Sequence, residues 1–386
     1  MVTTYDTYRR LQQHLDTGPV GYPATGSGID IRLLEQLFTP EEAQLAVHLS
    51  TIKLEPAGRM YRRVKRSGRK LNHVELQAIL DRMACQGTIL VYREGFNENR
   101  YKNAGVTAGG IVDFQVDRLT KELVDTFHEY HTERFAEAEM TGRRGVPQLR
   151  TVPVAESIPL PEKHLVATYD DVRHLVAQAP GPLAVANCVC RQTKDIQNKP
   201  CGYSDIRETC LQIGPDHARQ YVEMGIARYI EKDEACAILD RAQEAGFILQ
   251  PENSLKPETI CCCCGDCCGL LSAVIKSPRP ADMYASNYFA TVDSSYCNGC
   301  GICEERCQMK ARAVVYGVAT INFDRCIGCG NCVVTCTSGA SKLQRKAEIL
   351  VPPKTKDATF MKILKNKVGT RKMLLLRFKM LLGMKV

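Results

Sequence analysis

The first 150 residues place apolar side chains at helical spacing, broken by short runs at strand spacing. Thr39-Pro40-Glu41-Glu42 has the signs of a helix start: a capping threonine, proline at the first helical position and acids in the first turn. Asn72 with Glu75 three residues on predicts a second start. Leu76, Ile79, Leu80, Met83 and Ala84 then share one face until Gly87 ends the run. Thr88 to Tyr92 reads as a short strand, Gly95 to Asn99 as a turn and Arg100 to Thr107 as the returning strand. Helix, helix and two-stranded ribbon is the order of a winged helix. Val116, Leu119, Leu123, Phe127 and Tyr130 predict one more amphipathic helix.

Beyond that region the pattern changes. Thr141 to Pro161, rich in proline, glycine and arginine, reads as a linker. Residues 162–275 form a cysteine-rich middle region that opens on the strand-like Ala184-Val185-Ala186-Asn187. Residues 285–346 form a compact module denser still in cysteine, and 353–386 a basic amphipathic tail. The expected class is α+β and multidomain: a winged-helix-like region over 1–150, a mixed α/β middle, a terminal module and a helical tail.

The tail carries ten cations and one acid, Asp357, so it accounts for more than the whole formal charge of +8. Met361, Leu364, Val368, Leu375, Phe378 and Leu382 lie among those cations. Such a helix can rest on an anionic membrane surface or clasp a partner's groove, and both readings stay open. It cannot span a bilayer, and no run reaches the ~18 apolar residues a span needs. No export signal is read in the chain, so the expected location is the cytoplasm, with peripheral membrane association through the tail open beside partner docking.

Twenty cysteines are the anomaly, and all but Cys85 lie between Cys188 and Cys336. A secreted disulfide scaffold is excluded by the length and by spacings of two or three residues, which suit metal ligation. Cys297-x2-Cys300-x2-Cys303-x3-Cys307 is followed 29 residues later by Cys326-x2-Cys329-x2-Cys332-x3-Cys336. Two-residue gaps let one tight loop wrap three corners of an iron–sulfur cube. Gly299, Gly301, Gly328 and Gly330 allow the backbone to turn that closely. The fourth cysteine of each run leaves on a helix and reaches the neighbouring cluster. Cys297, Cys300 and Cys303 therefore take Cys336, while Cys326, Cys329 and Cys332 take Cys307. Zinc ribbons need only four ligands from two knuckles and fit this pattern badly.

In the middle region Cys188, Cys190, Cys201 and Cys210 are enough for a third cluster, with Arg191 and Lys194 able to balance its charge. Cys261 to Cys268 holds six thiols in eight residues. Neighbours on a strand face opposite sides, so one cube cannot take all six. Cys261, Cys263, Cys264, Cys267 and Cys268 either supply a fourth cluster or share with the Cys188 group. Cys85 and Cys236 read as buried structural thiols.

The segments LFTPEEAQLAVHL, NCVCRQ and CCCCGDCCG, with the terminal repeat, resemble a family of four-iron–four-sulfur ferredoxin-type proteins of anaerobes. These join an N-terminal winged-helix-like region to a bacterial two-cluster ferredoxin module. The resemblance implies electron transfer and anaerobic metabolism. It usually includes proline after each fourth cysteine, where this chain has Gln308 and Thr337.

No dinucleotide fingerprint, P-loop or haem-attachment motif is present, so substrate chemistry is expected in a partner oxidoreductase. The expected function is single-electron transfer between a low-potential donor and that partner. The alternative is an iron–sulfur-sensing DNA-binding regulator, suggested by seven basic residues between Arg59 and Lys70. Those cations read equally as a solvated face or a docking patch, and nucleic acid is the less expected partner. A catalytic subunit would need an open iron site in the Cys261–Cys268 run.

Overall fold

The computed structural model describes residues 3–93, 97–106, 110–135, 146–158, 168–381 and 384–385. The turn read at Gly95–Asn99 and the linker read at 141–161 lie partly outside these residues. Among the described residues the fold mixes helices with four sheets, and the chain divides into two compact units. One takes Met1–Gly142, Pro215–Arg228 and Phe360–Val386; the other takes Arg143–Gly214 and Tyr229–Thr359. Residues 162–275 and 285–346, read as separate regions, thus fall mostly in one unit, and an excursion at 215–228 leaves it.

In the first unit the capping signals sit where the helices begin. Thr39 and Asn72 each close a capping box, opening the helices Pro40–Ala46 and His73–Gln86, and Gly87 ends the second in the left-handed region. Strands β1 (Glu55–Pro56), β2 (Ile89–Tyr92) and β3 (Arg100–Asn103) form an antiparallel sheet in the order β1-β3-β2. The two-residue β1 is absent from the sequence reading because pairing with Tyr101 and Arg100 defines it. The helix expected from Val116 starts later, at Lys121. Asp117 has a positive φ, and Thr120 caps Leu123. Cys85 is exposed, not buried, and Cys236 is half-buried. The tail helix Lys356–Leu381 is broken at Gly369, where φ is 79° and ψ 166°.

The second unit is built on a five-stranded sheet. Its strands are β4 (Leu183–Asn187), β5 (Glu208–Ile213), β6 (Ala227–Ile230), β7 (Ile248–Pro251) and β8 (Thr259–Cys263), in the order β6-β4-β5-β8-β7. One face buries Val185, Leu211, Leu249, Ile260 and Cys262 beneath the helices Val172–Gln178 and Lys232–Glu244. On the other face Ile248 and Cys263 join Leu271, Val274 and residues of the terminal module. That module pairs β9 (Tyr288–Val292) with β12 (Ser341–Arg345), and β10 (Arg312–Val315) with β11 (Val318–Ile321).

Candidate metal centres

Each terminal loop runs through two left-handed glycines into a single-turn helix, Ile302–Glu305 after the first and Asn331–Val334 after the second. Gly299 and Gly328 allow close approach: a Cβ there would stand 2.4 Å from the Gly317 carbonyl oxygen and 2.1 Å from that of Tyr288. The sulfurs accept backbone amides in a repeated pattern. Ala319 N–H donates to Cys297 and Ala290 N–H to Cys326, at 3.3 and 3.5 Å. Ala311 donates to Cys307 and Ser341 to Cys336, at 3.2 and 3.3 Å. Amides aimed at sulfur are what an anionic cluster needs from its protein.

The charge environment sorts these eight thiols. Burial pushes the Cys303 thiol up, Arg312 counters it, and Cys336, Cys297 and Cys300 add to the push. Burial likewise raises Cys329, with Cys332, Cys307 and Cys326 as its sulfur neighbours. Arg312 is buried and donates from Nη2 to Cys332 Sγ at 3.1 Å and to Ser341 Oγ at 3.2 Å. Its Nη1 is buried with no hydrogen-bond partner among the described residues. A buried donor left open beside thiolates fits an inorganic sulfide as acceptor. Gln308, where the resembled family has proline, accepts from Gly265 N–H and donates to the Gly246 carbonyl, tying the module to the sheet.

Strand alternation divides the middle cysteines. Cys261 and Cys263 face the module side of β8, and Cys262 faces the helices. Cys210 on β5 stands opposite Cys261. Cys261 bonds to Cys210 and Cys263, Cys263 to Cys268, and Cys268 and Cys188 each to Cys190. Six thiols are thus contiguous: Cys188, Cys190, Cys210, Cys261, Cys263 and Cys268. The bond from Cys190, then that from Cys263, pulls the Cys268 thiol down to about 5. Gln250, opposite Cys261, is fully buried with both amide atoms unpartnered among the described residues, again an open donor beside thiols. Cys201 is not in this set; its sulfur lies 3.6 Å from that of Cys264.

Arg191 is fully buried behind them. Nη1 donates to Thr209 Oγ1 at 2.5 Å and Nη2 to the Cys262 carbonyl at 2.6 Å, and the guanidinium stacks 3.9 Å from the Phe247 ring centre. Burial works against its charge, but Cys188, Cys264, Cys262 and Cys263 outweigh burial and hold it protonated. Lys194, expected to share this role, turns to Gln197. Arg312, Gln250 and Asp266 were missed by sequence reasoning. Only Asp266 left a signal, standing between the two cysteines of Cys264-x2-Cys267.

Residues 319–341, which contain Cys326, Cys329, Cys332 and Cys336, match the family of 4Fe-4S binding domains. The chain is an iron–sulfur protein. No curated protein and no solved structure matches it. Among the described residues of this iron–sulfur protein, no helix is long and apolar enough to cross a membrane.

Proposed function

We propose that this iron–sulfur protein carries single electrons between a low-potential donor and a partner oxidoreductase. The terminal module would hold two [4Fe-4S] clusters in the crossed arrangement, on Cys297, Cys300, Cys303 and Cys336 and on Cys326, Cys329, Cys332 and Cys307. A third cluster would draw its ligands from the six contiguous middle thiols. When bound, each cluster supplies a one-electron carrier; the chain supplies thiolates, amide donors, counter-cations and exclusion of water.

One observation carries the reading. Cys307, Cys326 and Cys329 pack in the same apolar cluster as Cys261, Cys263 and Cys268, together with Met309, Ala311 and Ile327. The second terminal set and the middle set therefore share one dry interior, as a chain of carriers requires. At the opposite end Cys300 is exposed, and Tyr296 and Ile302 beside its loop are exposed as well, which suits a redox partner's contact. The exposed apolar side chains Leu374, Leu375 and Phe378 beyond Gly369 suit a second docking contact.

The helix–strand–helix–helix–strand–strand order from Pro40 to Asn103 supports a winged-helix reading. It does not favour the DNA-binding alternative. Arg63 pairs with both carboxylate oxygens of Glu55, and Arg69 bonds Gln44, so part of the basic run is spent inside the fold. Anaerobic metabolism and a cytoplasmic location are the settings that suit exposed low-potential clusters.

The test is iron and acid-labile sulfide per chain in anoxically purified protein, with EPR after dithionite reduction. About twelve of each, with the signal of interacting reduced cubes, is expected. Colourless protein holding only zinc and silent after dithionite would sink the proposal.

A further inference from the structure

Three of the cysteines outside the sets above come together in a group of their own. Cys264 and Cys267 follow β8 as a knuckle with two residues between them, and both pack toward the helix-covered face of the sheet with Cys262. Cys201 comes from the loop after the helix Val189–Ile196. The Asp266 carboxylate completes the group. One ligand atom from each of Cys201, Cys264, Asp266 and Cys267 lies within 4.8 Å of every other. Cys201 Sγ is 3.6 Å from Cys264 Sγ and 3.8 Å from Asp266 Oδ1.

Those separations suit a single ion held by all four groups. An ion ~2.3 Å from each sulfur of a tetrahedron holds its sulfurs ~3.7–3.8 Å apart, and a slightly shorter bond to oxygen gives ~3.5 Å between oxygen and sulfur. The two edges given above, 3.6 Å between sulfurs and 3.8 Å from sulfur to oxygen, lie within about 0.3 Å of those values. The carboxylate is also fixed as metal ligands are: Gly202 N–H donates to Asp266 Oδ2 at 2.8 Å, leaving Oδ1 toward Cys201.

We propose that Cys201, Cys264, Cys267 and Asp266 form a separate site for a single tetrahedral divalent ion, zinc or ferrous iron. Its work is structural. It staples the loop carrying Cys201 to the end of β8, beside the six-thiol set but outside it. The inference does not depend on electron transfer and would survive the loss of that reading.

The experiment uses the full chain, purified anoxically, with zinc, iron and acid-labile sulfide counted per chain. The expected result is one metal ion beyond the iron that sulfide balances, zinc or iron being told apart by the count itself. Cys201→Ser and Asp266→Ala should each lose that ion and leave the sulfide, and the iron that it balances, unchanged. Asp266→Cys should keep it, with X-ray absorption showing four sulfur ligands in place of three and one oxygen. Three results would overturn the proposal: no metal in excess of sulfide, an excess ion that survives both losses of ligand, or a Cys201→Ser protein that loses iron and sulfide in equal number. Since Asp266→Cys preserves the ion, a variant that merely fails to fold cannot be mistaken for support.

Discussion

Arg312 offers the sharpest test of how the chain sets the energy of its electrons. It is buried, touches Cys332 Sγ at 3.1 Å, and offsets the burial of both Cys303 and Cys332. In the proposed arrangement those two cysteines ligate different clusters, so one cation serves both. Reduction adds one negative charge, spread over the cube, roughly 6 Å from the guanidinium once a few ångströms of sulfur-to-centre distance are added. At an effective dielectric near ~20 that attraction is about 3 kcal/mol, or about 120 mV for one electron. Arg312→Gln removes the charge and keeps a donor for Ser341. Both potentials should become more negative, by ~50–120 mV after water and counter-ions fill part of the gap, the Cys332 cluster moving further. Arg312→Lys should restore most of the shift. Anaerobic redox titration followed by EPR reads each wave. A shift below ~20 mV, or one to more positive potential, would refute the argument that this cation stabilises the reduced state.

Three further expectations follow from the same interior. Arg191→Met leaves the thiolates around it without their buried cation, at a cost of about 3–5 kcal/mol, and anoxic iron analysis should show loss from the middle set with the terminal clusters retained. Gly328→Ala forces a Cβ against the Tyr288 carbonyl at a φ of 66°, costing at least ~1–2 kcal/mol; it should lower iron and sulfide by one cluster, while Gly26→Ala, where nothing lies within 4 Å, should not. Glu252 is buried, which raises its carboxyl from 4.5 to about 7 against the pull of Lys356. The folded state then binds more protons than the unfolded state between those values, so stability falls as pH rises through that window. Glu252→Gln should remove up to about 3 kcal/mol of that slope, seen as a thermal midpoint that gains on the parent's between pH 5 and pH 7.5.

What the sequence made legible was local. A capping box needs four residues, so Thr39 and Asn72 announce their helices, and Gly87 announces an end. The paired terminal loops are local too, with their glycines and two-residue gaps. Strand β1 is not, because two residues become a strand only through partners some forty-five positions away. Nor is the departure from proline at Gln308, whose side chain has its reason in Gly246 and Gly265 across the interface with the sheet.

The middle cysteines show where local reading stops. Alternation along β8 already implies that adjacent thiols part to opposite faces. Which thiols meet them there is decided by register. Cys210 joins Cys261 because β5 and β8 pair at that position, and Cys201 meets Cys264 because its loop returns to the far end of the same strand. Grouping by nearness in sequence put Cys201 with Cys188, Cys190 and Cys210. Space puts it instead with a knuckle 63 residues later and with an aspartate that no cysteine count would include. A run of thiols is therefore not one site: a strand running through it distributes its ligands between two interiors, and each interior can select its own metal.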